Sequence, residues 1–403
     1  MRVPKLRFKG FNDEWILNKV GNICDFIVPG RNKPTEFKGD IPWITTPDIE
    51  QNGIVTSSKK NLNITIEEAK IIGSKIVPKN SILISCVGDL GLIAISGADL
   101  IINQQLHAFL PKENIYSKFL LYALTTQKPY MEKVATKTAV PYMNKDNCNS
   151  IPVIMPSLPE QTKIANFLTA IDEKIAQLTQ KCDLLAQYKK GVMQQIFSQK
   201  LRFKDDDGQE FPEWEEKKLG EIVISITNGL NIDQTSERTD YKVTRIETIS
   251  DKKINVEKIG YVMTDNDISE YKLKIGDILF SNINSINHIG KTVYLDADYN
   301  LYHGMNLLRI IIDVSKNNSK FISYQLNTDK LKNFFESIAN KAVSQASINQ
   351  TELKKTKLVL PTLPEQTKIA NFLTAIDGKI TQAQVQLEAV KRYKKGLLQQ
   401  MFV

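Results

Sequence analysis

The chain is poor in the residues that most catalytic and metal-binding sites depend on. Its 403 residues include only three histidines (His107, His288, His303) and four cysteines (Cys24, Cys86, Cys148, Cys182). The cysteines are far apart and form no CxxC pair, so they read as reduced thiols rather than as a disulfide framework. The histidines lack ligand spacing, and no metal site is expected. Long apolar runs are missing too. The most apolar window, 81–102, is broken by Asp89, Asp99 and several glycines, so it reads as buried strands joined by turns, not as a membrane span. The opening MRVPKLRFKGF has no apolar stretch of the signal-peptide kind, and the expected location is the cytoplasm. There is no GxxxxGK[ST] loop for ATP. The glycine-rich cofactor turn and the Asn/Asp-Pro-Pro-aromatic loop of a DNA methyltransferase are also absent. No Ser/His/Asp or Cys/His arrangement can be assembled. A chain of this length without a catalytic constellation reads as a binding protein.

What the sequence does have, it has twice. Residues 158–172 read LPEQTKIANFLTAID, and the same fifteen residues recur at 363–377, 205 positions later. Solenoid repeats run to roughly 20–50 residues, so this is a duplicated module instead. KLRF occurs at 5–8 and 200–203, Trp15 and Gly21 are matched by Trp214 and Gly220, and SILIS at 81–85 parallels DILFS at 277–281. Asn144 and Asn349 stand the same distance before LPEQ. The expected division is a first recognition block over 1–155, a constant helix over 156–200, a second recognition block over 201–359 and a second constant helix over 360–403. Duplication implies approximate two-fold symmetry, and hence a target with two halves.

Ser157-Leu-Pro-Glu160 and Thr362-Leu-Pro-Glu365 fit a capping box with proline in the first turn. Beyond each, apolar residues recur at steps of three and four. The first series is Ile164, Leu168, Ile171, Ile175, Leu178, Cys182, Leu185, Val192 and Ile196; the second is Ile369, Leu373, Ile376, Ile380, Ala383, Leu387, Val390, Leu397 and Met401. This is a heptad seam, interrupted once in each copy at Lys189 and Lys394. Each seam can bury itself on its own block or on the other helix. Two matched seams in one chain favour the second, as an antiparallel coiled coil. Gly191 and Gly396 mark either a close helix approach or tolerance near a helix end. The variable blocks mix short strand-like runs (41–46, 81–87, 92–96) with helical stretches (117–131, 319–339), giving an α+β fold class.

Lys and Arg outnumber Asp and Glu by 53 to 45, a mild cationic bias compatible with nucleic acid. Candidate DNA contacts in the first block are Arg31, Lys33, Thr45, Thr46, Lys137, Tyr142, Asn144 and Lys145. In the second they are Arg245, the polar run Ser281, Asn282, Asn284, Asn287 and His288, and then Lys341, Gln345 and Asn349. Arg suits guanine, Asn and Gln suit adenine, and cationic side chains suit phosphate. Two other readings compete. Asp48, Glu68 and Lys70 have the order of a PD…ExK nuclease site, in which carboxylates hold Mg²⁺. Against it, Thr65 to Glu68 is itself a capping box opening a helix that stops at Gly73. The third reading is a coiled-coil scaffold unconnected with DNA.

With LPEQTKIANFLTAID in both halves, YKKG near each helix end and the paired KLRF and Trp-to-Gly openings, the chain resembles the specificity subunit of Type I restriction–modification systems over essentially its full length. The resemblance implies two target-recognition domains, each reading one half of a bipartite double-stranded DNA site. It implies that the helices set the spacer and dock two modification subunits, which methylate adenine with S-adenosylmethionine. Restriction subunits that translocate and cut DNA with ATP and Mg²⁺ would join them. The chain itself would hold no cofactor and no metal.

Overall fold

The computed structural model describes residues 4–30, 32–250, 253–341 and 345–402, the side chains of Asn287 and Lys341 excepted. It divides into two compact units, one formed by 1–180 with 384–403 and the other by 181–383. Two long helices, Leu158–Phe197 and Leu363–Met401, each contribute residues to both units.

The first unit is built on a five-stranded sheet in the order Cys24–Ile27, Leu106–Pro111, Ile82–Ser85, Ile93–Ser96, Ile54–Val55. Its first four strands are antiparallel, and the last pairs parallel. The central strand is buried on both faces, which is why its sequence is a continuous apolar run rather than an alternation. Ile82 and Ile84 pack with Phe119, Leu120 and the helix residues Ile164 and Leu168. Leu83 points the other way, into a second cluster with Ile44, Leu100 and Ala108. The second unit repeats the arrangement with four strands, Val223–Asn228, Leu308–Ile312, Ile278–Phe280 and Thr292–Tyr294. There Ile278 and Phe280 pack with Phe321 and Phe335, and Leu279 with Ile249 and Leu301.

Both expected helical stretches in the blocks are interrupted. The first splits into Ser117–Thr125 and Lys128–Val134, with Pro129 in the opening turn of the second piece, where a missing N–H costs nothing. The other splits into Ser319–Leu326 and Asp329–Ile338, because the Thr328 hydroxyl caps a new helix by accepting the Leu331 N–H.

The heptad seam is satisfied in two ways at once. In the first unit Ile164, Leu168 and Ile171 share a core with Leu397 and Met401 from the last turns of the other helix, with Ile175 and Val390 at its margin. In the second, Val192 and Ile196 share a core with Ile369, Leu373 and Ile376, with Ile380 at its margin. The pairing is antiparallel in each unit, and the globular block packs against the same residues. Leu178 and Leu387 are buried outside these clusters, and Leu185 is half-buried. Gly191 and Gly396 mark no close approach, since a Cβ at either would meet nothing within 4 Å.

Candidate nucleic-acid interface

The constant motifs turn out to anchor each helix to its own unit. Glu160 does not reach back to the helix start as a capping box would. It is fully buried and takes a two-pronged bond from Arg7 of KLRF, at 2.7 and 2.8 Å. Glu365 does the same with Arg202 at 2.9 and 2.9 Å, and also accepts the indole N–H of Trp214. Such planar pairs are among the stronger charge-assisted bonds. Gln161 accepts the Tyr116 N–H and donates to the Pro156 carbonyl; Gln366 accepts the Asn318 N–H and donates to that of Pro361. The lysines that interrupt the seam also have a role. Lys394 pairs with Asp172, which accepts the Tyr122 hydroxyl at 2.7 Å, and Lys189 pairs with Asp377, which accepts that of Tyr324 at 2.7 Å. Burial, reinforced by the neighbouring carboxylate, raises both phenols well above their ordinary range.

With the helices fixed, the variable loops gather at strand ends. In the first unit Thr45 precedes a short 3-10 turn, Thr46–Asp48, and the Thr46 hydroxyl reaches Gln105 at 3.1 Å. The Gln105 carbonyl accepts the Cys86 N–H, and the Cys86 carbonyl accepts the Met143 N–H. Thr45, Thr46, exposed Tyr142, Asn144 and Lys145 thus belong to one neighbourhood. Lys137 is exposed on the loop that folds back from Thr136 to Tyr142. Lys33 stands apart, exposed in a loop that Thr35 ties to Glu68. Arg31 lies outside the described residues.

In the second unit Arg245 occupies the place of Thr45, immediately before the 3-10 turn Ile246–Ile249, and its Nε donates to Gln234 at 2.5 Å. The strand Ile283–Asn284 pairs with Ala346–Ser347, and the Asn282 carbonyl accepts the Ile348 N–H, which brings the 282–284 segment alongside the chain from Gln345 to Asn349. His288 and Gln345 are exposed. Ser281 and Asn282 are not, at 1% and 8%; Ser281 takes the Asn284 amide at 3.2 Å. Lys341 contributes its backbone to a short strand, and its side chain, like that of Asn287, lies outside the described residues. Asn144 and Asn349 both cap short helices through their side-chain carbonyls, each at 2.8 Å, which commits that oxygen to the cap and leaves the amide N–H groups free to meet a base.

Sequence reasoning missed a cleft of about 600 Å³ lined by Arg238, Tyr241, Lys242, Tyr261 and Met263. Its walls come from two strands whose register (Lys242 opposite Tyr261) exists only in the fold. The PD…ExK reading fails on geometry. Asp48 spends one oxygen on Thr45 and the other on Lys59 and Ser58. Burial alone would raise its pKa, but these bonds outweigh it and hold the carboxyl below its ordinary value. Glu68 accepts from Thr35 instead of closing a capping box with Thr65, and Lys70 is exposed. Among the described residues neither carboxylate belongs to a cluster of metal-ligating groups.

The profile of the Type I restriction modification DNA specificity domain fits residues 12–186 and again 212–392. The chain belongs to this family. It is therefore a DNA-specificity subunit of the Type I restriction class, a recognition protein rather than an enzyme. It is 44% identical over 210 residues to the putative type I restriction enzyme MjaX specificity subunit of Methanocaldococcus jannaschii, a match spanning 51% of this chain and about half (49%) of that relative. The MjaIX specificity subunit of the same organism matches at 23% identity over 96% of this chain and 92% of its own length. The crystal structure of the Type I restriction–modification S subunit from M. genitalium shares the fold, with TM-score 0.65, 16% identity and coverage of 100% and 99%. The long-helix pair and the mixed α+β blocks are the family's architecture. Among the described residues no helix is long and apolar enough to cross a membrane.

Proposed function

We propose that this subunit reads a bipartite double-stranded DNA target, residues 1–155 reading one half-site and residues 201–359 the other. The constant helices, 156–200 and 360–403, hold the half-sites at a fixed spacing and dock two adenine-methyltransferase subunits. Those subunits bring S-adenosylmethionine, and restriction subunits that join them bring ATP and Mg²⁺. The assembly works in the cytoplasm.

The observation that carries the reading is that one scaffold presents different chemistry twice. The residue before the matching 3-10 turn is Thr45 in one unit and Arg245 in the other. Nearby, one unit adds Tyr142 and Lys145, and the other adds the 281–288 loop and Gln345. A duplicated fold with divergent polar tips suits two unlike half-sites, since hydrogen-bonding side chains discriminate base pairs at their groove edges. The +8 net charge favours the phosphate backbone.

Mapping methylated bases in cells with and without the gene tests this directly. The expected result is adenine methylation at one two-part sequence with an unspecified spacer, lost on deletion. Methylation at a single uninterrupted site, or none that depends on the gene, would overturn it.

A further inference from the structure

Three residues that the sequence keeps apart meet inside the first unit. Cys86 follows the central strand, His107 lies on its neighbour opposite Ile84, and Cys148 sits in the short helix Lys145–Asn149. The Cys148 sulfur is 3.4 Å from that of Cys86 and 3.4 Å from His107 Nδ1. All three ligand atoms lie within 4.8 Å of one another, and all three residues are buried. A tetrahedral zinc ion with bonds of about 2.3 Å to sulfur and about 2.0–2.1 Å to nitrogen spaces its ligand atoms roughly 3.6–3.8 Å apart. The two separations that involve Cys148 need to open by only a few tenths of an ångström to admit one, and the third pair lies within 4.8 Å.

We propose that Cys86, His107 and Cys148 form a zinc site with a water molecule in the fourth position. Two thiolates and an imidazole select a soft or borderline cation such as zinc over Mg²⁺ or Ca²⁺, which prefer oxygen. Three protein ligands and a water make an open site of the kind catalytic zinc ions occupy rather than a closed structural one, yet the ion would still brace this part of the block. Its ligands tie together the end of the central strand, the adjacent strand and the helix capped by Asn144, which form the floor beneath Tyr142, Asn144 and Lys145. It also breaks the internal duplication. Cys86 corresponds to Asn282, whose carbonyl accepts the Ile348 N–H as that of Cys86 accepts Met143's. His107 corresponds to Leu308, each lying opposite the third residue of the matching strand, and Cys148 to Leu353 in the matching helix. The second unit has no ligands at these places, so one zinc per chain is expected.

The test is cobalt titration of the full-length chain, reduced and stripped of metal. One equivalent should bind, giving the thiolate-to-cobalt charge-transfer band and the strong visible bands of a tetrahedral ion, and zinc should displace it. Cys148→Ser and His107→Ala should weaken binding by roughly a hundredfold or more, and Cys182→Ser should not change it. Weak bands without charge transfer, loss of binding in Cys182→Ser, or capture of copper(I) but not zinc would overturn the assignment. If the ligand variants do not fold, zinc-edge X-ray absorption on the unaltered zinc-loaded chain decides it. Two sulfur neighbours at about 2.3 Å support the site, and a shell of nitrogen and oxygen alone refutes it.

Discussion

Lys189 of the first long helix places its ammonium 2.6 Å from Asp377 Oδ1 of the second, and 4.9 Å over the ring of Tyr324. Lys394, Asp172 and Tyr122 repeat the arrangement in the other unit. A charged residue in an apolar seam costs stability unless it is paired, and such residues commonly fix register. These two therefore specify the antiparallel pairing that leucines alone would leave free to slip.

A double-mutant cycle on Lys394 and Asp172, both substituted by alanine, should give a coupling of about 1 kcal/mol in urea unfolding. The Lys189–Asp377 cycle should give less, because Asp377 is 38% exposed and water screens it. Equal or absent coupling in the two pairs would contradict this ranking.

The second unit contains a buried ion pair that the first lacks. Arg309 and Asp277 meet at 2.7 Å with side chains 7% and 6% exposed, and Ala108 and Ser81 hold the corresponding places in the first unit. Arg309→Ala should cost about 3–5 kcal/mol by stranding the aspartate, and adding Asp277→Ser should recover much of that loss. Denaturant midpoints of the single and double variants decide it.

His303 is 1% exposed, and burial, opposed by its bond to the Leu307 carbonyl and aided by Arg309, lowers its pKa to about 4. The unfolded chain binds a proton near pH 6.5 that the folded chain refuses until about pH 4. Stability should therefore be full above pH 6.5 and fall as the pH drops toward 4, by an amount of order 3 kcal/mol. His303→Asn should flatten that part of a Tm-against-pH curve; an unchanged slope would show that other groups set it.

Replacing 281–288 with the matching loop of another family member should change only the second half-site, and Arg245→Ala should relax discrimination there. Methylated-adenine mapping would expose the opposite outcome, a change in the first half-site.

Inserting helical residues tests the spacing role, and the structure decides where. Phe197 packs on Phe321 with ring centroids 5.6 Å apart, and Gln199, at φ 59°, ends the helix. Residues added after Phe197 would therefore lengthen only a loop. Four residues added to each helix between the two units, after Gln180 and after Ala383, should add about 6 Å and turn the helix by roughly 40°. DNA rises 3.4 Å and turns about 34° per base pair; the added turn matches one pair, and a rod oblique to the duplex projects less than its full length of about 6 Å, so one extra spacer pair, two at most, is expected with both half-sites unchanged. Unaltered spacing in a functional variant would leave the helices as docking surfaces alone.

The duplication, the two long helices and their seam were legible because they depend on periodicity and repetition within the chain. Partners distant in sequence were not. Nothing local joins Arg7 to Glu160 or Tyr122 to Asp172, and both LPEQ glutamates look like capping residues until the arginine arrives. Cys86, His107 and Cys148 converge through strand register, which a single sequence does not display. Asn144 and Asn349 were visible as a matched pair, but Asn serves equally as helix cap and base reader, and their carbonyls are used for the cap.

The first unit's core closes over Met401, with Phe402 against Trp15 and Phe119, and the Leu6 N–H bonds to the Gln400 carbonyl. On a ribosome those helical turns are made after everything else in that unit. Domains usually fold in the order in which they emerge. Here residues 181–383 hold all of their own unit and can fold while synthesis continues, whereas the block translated first must wait with an open apolar face. A nascent chain stalled before residue 384 would display that face to chaperones and proteases, and its birth order would be the reverse of its order of maturation.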